Sequence, residues 1–99
     1  MTRLVVNHLR LAKPLPAPVI NAAEEACAEI LAAGAQSAGV VQIDETHAIL
    51  VLAFPDLETE ERISSEIGGP WMREHVVPLL ASPPERSSGV VVAGLRTSR

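Results

Sequence analysis

The order of its periodic segments predicts that this 99-residue chain folds as one α+β domain. Three observations support this prediction. Four short segments are rich in Val, Ile and Leu, as strands are, and two longer segments have the three- and four-residue apolar spacing of amphipathic helices. Pro, Gly and short polar stretches separate the segments. Taken in chain order, they read β-α-β-β-α-β, and we expect residues 1–99 to form a single domain.

The first half of the chain is predicted as a strand, a helix and a hairpin. The segment from Leu4 to Leu11 has high β-propensity. In the segment from Val19 to Ala33 the apolar residues recur at helical spacing, and Gly34 is a suitable stop. Two apolar runs, Gly39–Ile43 and Ala48–Phe54, then flank a short polar gap, which is typical of a β-hairpin.

The second half is predicted as an interrupted helix and a last strand. Asp56 can cap a helix that runs to about Ile67. The segment Gly68-Gly69-Pro70 predicts a break, after which a second helical piece begins and Pro78 kinks or ends it. The Val-rich segment Gly89–Leu95 is predicted as the final strand.

This element order usually gives a four-stranded antiparallel sheet with both helices on one face, the ferredoxin-like arrangement. In the first strand the residues on both faces are largely apolar. One face carries Val5, Asn7, Leu9 and Leu11, and the other carries Leu4, Val6, His8 and Arg10. Because the helices cover only one face, we expect a second copy of the chain to cover the other. The predicted assembly is a homodimer.

Composition excludes several classes of function. The chain has 12 acidic and 8 basic residues and a net charge of −4, whereas nucleic-acid binders usually carry a basic stripe. No apolar run approaches the roughly 20 residues of a membrane span. The N-terminus lacks the layout of a signal peptide, which favours a cytoplasmic protein. Cys27 is the single cysteine, so an internal disulfide and a thiolate zinc site are excluded.

The element order and the segment Gly69–Leu80, GPWMREHVVPLL, resemble the dimeric α/β-barrel superfamily, in particular its antibiotic-biosynthesis-monooxygenase-like members. The resemblance implies that two ferredoxin-like sheets associate face to face into a barrel. It also implies a small-molecule ligand in a cleft between each sheet and its own helices. Relatives include cofactor-free oxygenases, haem-degrading oxygenases, isomerases and decarboxylases, so the fold alone does not fix the activity.

Three residues are candidates for the chemistry of that cleft. Trp71 and His75 stand four apart, which places them on one helix face, and Asn7 can point from the first strand toward the same cleft. They resemble the trio of haem-degrading members, in which His ligates iron, Trp distorts the macrocycle and Asn hydrogen-bonds the distal oxygen species. In those enzymes, however, the Trp and His are about twice as far apart in sequence. Haem is therefore the alternative cofactor, and our primary expectation is none.

The favoured interpretation is a cofactor-independent monooxygenase that acts on a small aromatic or polyketide-like substrate. The resemblance implies that the substrate forms a stabilised carbanion, which itself reduces dioxygen. Asn7 and the Trp71 indole N–H would donate hydrogen bonds to the substrate oxygen, and His75 would accept a proton. A non-catalytic dimer that binds a small ligand is the third hypothesis. In that case Trp71 anchors the core, while His75 and Asn7 have ordinary structural roles.

The remaining polar residues are expected to serve structure. His8 faces away from Asn7, toward the predicted barrel, and His47 lies in the hairpin turn. A set of acidic residues on the second helix predicts a solvated face rather than a metal cluster. These residues are Glu58, Glu60, Glu61 and Glu66.

Overall fold

The computed structural model describes residues 1–95 and has the predicted α+β, ferredoxin-like architecture. Four strands form one antiparallel sheet in the spatial order β2-β3-β1-β4. The strands are β1 (Arg3–Arg10), β2 (Ser37–Asp44), β3 (His47–Phe54) and β4 (Glu85–Val90), and helix α1 spans Ala17–Ala32. The hairpin between β2 and β3 turns over Glu45 and Thr46, with the Thr46 N–H donating to the Asp44 side chain at 2.9 Å.

The second helical segment is continuous, which corrects the predicted break at Gly68-Gly69-Pro70. It begins as an α-helix, α2, and widens into a π-helical turn. A short α-helical turn, α3, follows. A second π-helical turn and a final 3₁₀ turn complete the segment. The bounds are α2 Leu57–Ile63, π Ser64–Gly68, α3 Gly69–Trp71, π Met72–Val76 and 3₁₀ Val77–Leu79. As predicted, Pro78 lies where the helix ends.

A wider turn, rather than a break, accommodates Pro70. Proline has no N–H, and in an α-helix its ring meets the carbonyl four residues earlier. Gly68 and Gly69 keep helical dihedral angles, with φ of −63° and −61°. The backbone at Gly69 approaches the preceding turn so closely that a Cβ there would lie 2.9 Å from the Ser64 carbonyl oxygen. The glycine therefore permits the close approach that the widened turn requires.

The helix ends match the sequence signals. Asp56 accepts a hydrogen bond from the Thr59 N–H at 2.7 Å, and hydrogen bonding by the Thr59 side chain, together with this backbone bond, lowers the pKa of the Asp56 carboxyl group. After α1, Gly34 adopts a φ of +124°, a conformation that residues with a Cβ rarely adopt. The Arg62 side chain donates to the Ala33 carbonyl at 2.8 Å and so ties α2 to the end of α1.

The last strand lies earlier in the chain than predicted. It spans Glu85–Val90, whereas the Val-rich propensity indicated Gly89–Leu95. Its partner β1 begins at Arg3, which pairs with Val90, so the residues after Val90 have no strand left to pair with. Only the Val91 N–H reaches further, to the Thr2 carbonyl. The basic tail, 96–99, lies outside the described residues.

The helices cover one face of the sheet and leave the other open. Val5, Asn7, Leu9 and Leu11 are buried beneath the helices, as the alternation predicts. Two adjoining apolar clusters form the core, one around Phe54 and Ile63 and the other around Leu9 and Val76. On the open face of β2, Val41 and Ile43 are about half exposed. No helix among residues 1–95 is both long and apolar enough to cross a membrane.

The prediction of a fully solvated acidic face on the second helix is wrong for Glu60. Its side chain is only 4% exposed and accepts from Arg3 Nε at 2.7 Å and from Arg86 at 3.1 Å. A buried carboxylate requires partners of this kind, since desolvation disfavours its charged form. This three-residue cluster connects α2 with β1 and β4.

Two histidines meet on the open face of the sheet. His8 Nδ1 and His47 Nε2 lie 3.1 Å apart, and their rings stack with centroids separated by 5.3 Å. His8 faces the open side, as predicted, but His47 is half-buried at the start of β3 rather than solvated in the turn. The hydrogen bond requires at least one ring to be neutral.

Candidate functional site

A largely apolar cavity of about 420 Å³ opens between α1 and the sheet. Leu9 and Val76 at its inner end are both 1% exposed. The α1 wall has two rows of residues at four-residue spacing, which places each row along the helix axis. The inner row is Val19, Ala23 and Cys27, and the outer row is Ile20, Glu24 and Ala28. The inner row lines the interior, and the outer row forms an exposed rim.

Trp71 presents an unusual group to this region. Its indole Nε1 is buried and has no hydrogen-bond partner among the described residues. An unsatisfied buried donor costs about 1–3 kcal/mol. The half-buried ring lines the cavity and packs against the core cluster around Leu9 and Val76. Trp71 is thus a core residue, as the hypothesis of a non-catalytic dimer predicts, and it also lines the cavity. Its indole N–H has no hydrogen-bond partner among the described residues.

His75 lies beside Trp71 but lines a different depression. The two ring centroids are 5.9 Å apart, so the predicted neighbourhood of Trp71 and His75 is present. His75 lines a groove between α1 and the second helical segment, and it does not line the apolar cavity, whereas Trp71 lines both. Four carboxylates share that groove: Glu25, Glu29, Glu66 and Glu74. His75 Nε2 is 3.7 Å from the Glu74 carboxylate.

Asn7 faces the helices, as predicted, and is only 8% exposed. It lies on β1 opposite Leu50 and Arg86. Its position is between Val5 of one core cluster and Leu9 of the other. Its side chain makes no hydrogen bond within residues 1–95 and lines neither the cavity nor the groove. The structure therefore brings Trp71 and His75 together, whereas Asn7 lines neither of the two depressions.

The cavity has little charge. Among the residues that line it, Glu24 is the only charged side chain, and Gln42 on β2 is the other polar side chain of the rim. Burial raises the pKa of the Cys27 thiol, and the nearby Glu24 carboxylate raises it further. Cys27 is therefore a neutral, weakly reactive wall residue at neutral pH. No group of three or more potential ligands for a metal ion occurs within residues 1–95.

The residues do not fit a haem held by His75. The groove that His75 lines contains four glutamates, and their charge opposes the two propionates of a haem. The more apolar cavity does not include His75. The electrostatics of the His75 groove therefore do not favour the haem alternative.

Sequence reasoning missed Glu24 and Gln42 as cavity residues. The signal for Glu24 was present, because it lies four residues from Ile20 and from Ala28 along α1. The position of Gln42 depends on the β2–β3 register, which contains an irregularity between Gln42 and Asp44.

Solved structures resemble the chain closely in fold. SnoaB, a cofactor-independent oxygenase from Streptomyces nogalater solved in a mutant form, matches with a TM-score of 0.77 and 12% identity over 97% of this chain and 98% of SnoaB. The chain has the fold of the antibiotic biosynthesis monooxygenase-like proteins. The monooxygenase from the gene ActVA-Orf6 of Streptomyces coelicolor, solved with nanaomycin D, matches with a TM-score of 0.73 and 16% identity over 97% of this chain and 92% of that protein.

A third structure with this antibiotic biosynthesis monooxygenase-like fold is Rv0793 from Mycobacterium tuberculosis. It matches with a TM-score of 0.75 and 12% identity over 97% of this chain and all of that protein. Neither a protein-family model nor a curated protein matches the sequence. The predicted resemblance is therefore confirmed for the fold.

Proposed function

We propose that the protein is a cofactor-independent monooxygenase that binds a small aromatic or polyketide-like substrate in the cavity beside Trp71. The observation that carries the proposal is the buried Trp71 N–H, which has no partner among the described residues and belongs to a ring that lines the apolar cavity. A substrate carbonyl or phenolate oxygen would accept that hydrogen bond and remove the cost of the unsatisfied donor. SnoaB is a cofactor-independent oxygenase and the ActVA-Orf6 protein is a monooxygenase, and their shared fold supports an oxygenase.

The proposed reaction needs no bound redox group. A base takes a proton from an acidic CH₂ of the substrate, and the resulting carbanion gives one electron to dioxygen. The substrate radical and superoxide combine to a peroxide, which is protonated and loses water to leave a carbonyl. Overall, CH₂ and O₂ become C=O and H₂O. The Trp71 N–H would stabilise the carbanion where its charge collects on oxygen.

The sequence suggests Asn7 as a second donor and His75 as a proton acceptor, but from their positions either residue would act on the substrate only indirectly. Neither lines the cavity. We therefore expect Asn7→Ala and His75→Ala to reduce turnover less than Trp71→Phe does. Trp71→Phe removes the N–H but keeps an aromatic ring in the wall.

Oxygen consumption with a panel of oxidisable phenols and quinols tests the proposal. We expect saturable oxygen uptake by the wild-type protein, and a roughly tenfold lower kcat/KM in Trp71→Phe, as expected for one lost hydrogen bond. Product analysis with ¹⁸O₂ should place one labelled oxygen in the new carbonyl. Saturable binding of the panel without oxygen uptake would instead support the non-catalytic ligand-binding dimer.

We further propose that the active form is a homodimer, in which a second copy covers the open sheet face. The half-exposed Val41 and Ile43 on that face support this, since one chain leaves them in water. The dimeric α/β barrel predicted from the sequence is the form such a dimer would take.

A further inference from the structure

We propose that Glu24 makes the cavity select ligands that carry no negative charge at the rim, so that neutral substrates bind and their carboxylated analogues are rejected. The inference rests on the proposed function, because it concerns the same cavity. It adds a specificity residue and narrows the substrate class. Its basis is the position of one charge on an otherwise uncharged wall.

The position of Glu24 follows from the geometry of α1. Ile20, Glu24 and Ala28 form the exposed row of the helix wall, so Glu24 is the middle residue of that rim. Across the opening, β2 contributes Gln42, which is uncharged. No Lys or Arg occurs among the residues that line the cavity. A ligand carboxylate at the rim would therefore meet a negative charge and no compensating positive one.

The field of Glu24 extends into the cavity. Cys27 lies three residues further along α1 on the inner row, and the Glu24 carboxylate raises the pKa of its thiol, after the larger effect of burial. Like charges 6–8 Å apart repel by about 0.5–0.7 kcal/mol in water and by about 2–3 kcal/mol at the effective dielectric constant of a protein surface. For the exposed Glu24 we take a value between these limits, about 1 kcal/mol, which corresponds to roughly a fivefold change in affinity. The inner row of the wall, Val19, Ala23 and Cys27, carries no charged side chain that would compensate an anion.

Two probes of equal shape test the inference. Fluorenone-4-carboxamide and fluorenone-4-carboxylate both present a ring carbonyl to Trp71, but only the second is anionic. Binding of each is measured by isothermal titration calorimetry at low ionic strength. We expect the carboxamide to bind about fivefold more tightly than the carboxylate. In Glu24→Gln the ratio should fall below about twofold, through tighter binding of the carboxylate.

Glu25→Gln is the matched control. It removes the same charge from the next residue of the same helix, and Glu25 lines the acidic groove rather than the cavity. The control should therefore keep most of the selectivity. At 0.5 M salt the wild-type ratio should decrease, because the Debye length is then about 4–5 Å.

The outcomes separate the two proposals. If both probes bind the wild-type protein equally, or if Glu24→Gln leaves the ratio unchanged, the selectivity assigned to Glu24 is wrong and the ligand cavity stands. If Glu25→Gln lowers the binding ratio as much as Glu24→Gln does, the selectivity responds to total charge, and its assignment to Glu24 is wrong. If neither probe binds, the proposed ligand site fails, and the inference fails with it.

Discussion

At the scale of single residues, Glu60 and Trp71 both bury a polar group, but only the Glu60 carboxylate has partners within the described residues. Glu60 has lost its water but is bonded to Arg3 and Arg86. The Trp71 N–H has lost its water and has gained no partner within the described chain. The first arrangement stabilises the fold, whereas the second leaves a buried donor without a partner. This contrast is why we assign the structural role to Glu60 and the binding role to Trp71.

The two arginines that hold Glu60 should differ in importance. Arg3 makes the shorter contact and is 18% exposed, while Arg86 is 44% exposed. Arg3→Met leaves a buried carboxylate with one partly exposed partner, so we expect the free energy of unfolding to fall by about 2–3 kcal/mol. Arg86→Met should cost about 1 kcal/mol, since the Arg3 contact remains. Urea denaturation measures both, and equal losses would contradict this ranking.

Residue-level prediction from the sequence succeeded where one residue type has one dominant use. The Asp56 cap and the Gly34 helix stop are examples. It failed for Glu60, because a carboxylate that reaches two arginines on other elements leaves no local pattern. Both arginines are distant in sequence, 57 and 26 residues away. Asn7 was placed on the correct face, but its distance from Trp71 and His75 depends on packing that alternation does not encode.

At the scale of elements, the second helical segment determines where Trp71 and His75 stand. Two π-helical turns flank the short α3, and His75 lies within the second of them. The sequence indicated a break because Gly and Pro usually interrupt helices. The chain instead widens the turn, and this keeps Trp71 and His75 in one continuous segment.

The neighbouring glycines provide a matched test of that widened turn. A Cβ on Gly69 would lie 2.9 Å from the Ser64 carbonyl oxygen, whereas a Cβ on Gly68 would meet nothing closer than 3.8 Å. Gly69→Ala should therefore lower the free energy of unfolding by about 1–2 kcal/mol. Gly68→Ala, at a helical φ, should raise it by about 0.5–1 kcal/mol. Thermal denaturation followed by circular dichroism distinguishes the two. Destabilisation by Gly68→Ala that equals the effect of Gly69→Ala would contradict the turn geometry.

The strands show a different limit of sequence-based prediction. Alternation assigned the faces of β1 correctly, because its period of two residues is strict. The predicted position of β4 was wrong, because Val-rich propensity lies at 90–92 while the partner strand ends opposite Val90. Pairing, which is non-local, overrode local propensity. The sequence predicted the apolar face of α1, but it did not predict that this helix forms a wall of the cavity.

At the scale of the whole molecule, a single chain leaves one face of its sheet uncovered. Its helices cover one sheet face, and the other carries Val41 at 51% and Ile43 at 53% exposure. The His8–His47 pair lies on the same open face. We propose a second copy as the cover, which would give a barrel closed by two sheets.

Light scattering after size exclusion tests the proposed dimer. We expect a mass of about twice the 10.5 kDa of one chain at micromolar concentration. Val41→Glu places a charge on the open face and should give monomers, because burying it between two sheets is unfavourable. Val77→Glu is the control, since Val77 is similarly exposed but lies on the helical side. A wild-type monomer, or dissociation by both variants alike, would contradict the assignment of this face.

The proposed function requires the cavity beside Trp71 to bind a small aromatic carbonyl compound. Trp71 is the only tryptophan and the chain has no tyrosine, so the protein emission reports this one ring. We predict that titration with fluorenone quenches it saturably with a stoichiometry of one per chain. Ala23→Phe, which fills the inner wall, should abolish the effect in a folded protein. Linear, unsaturable quenching that is the same in Ala23→Phe would contradict the claim.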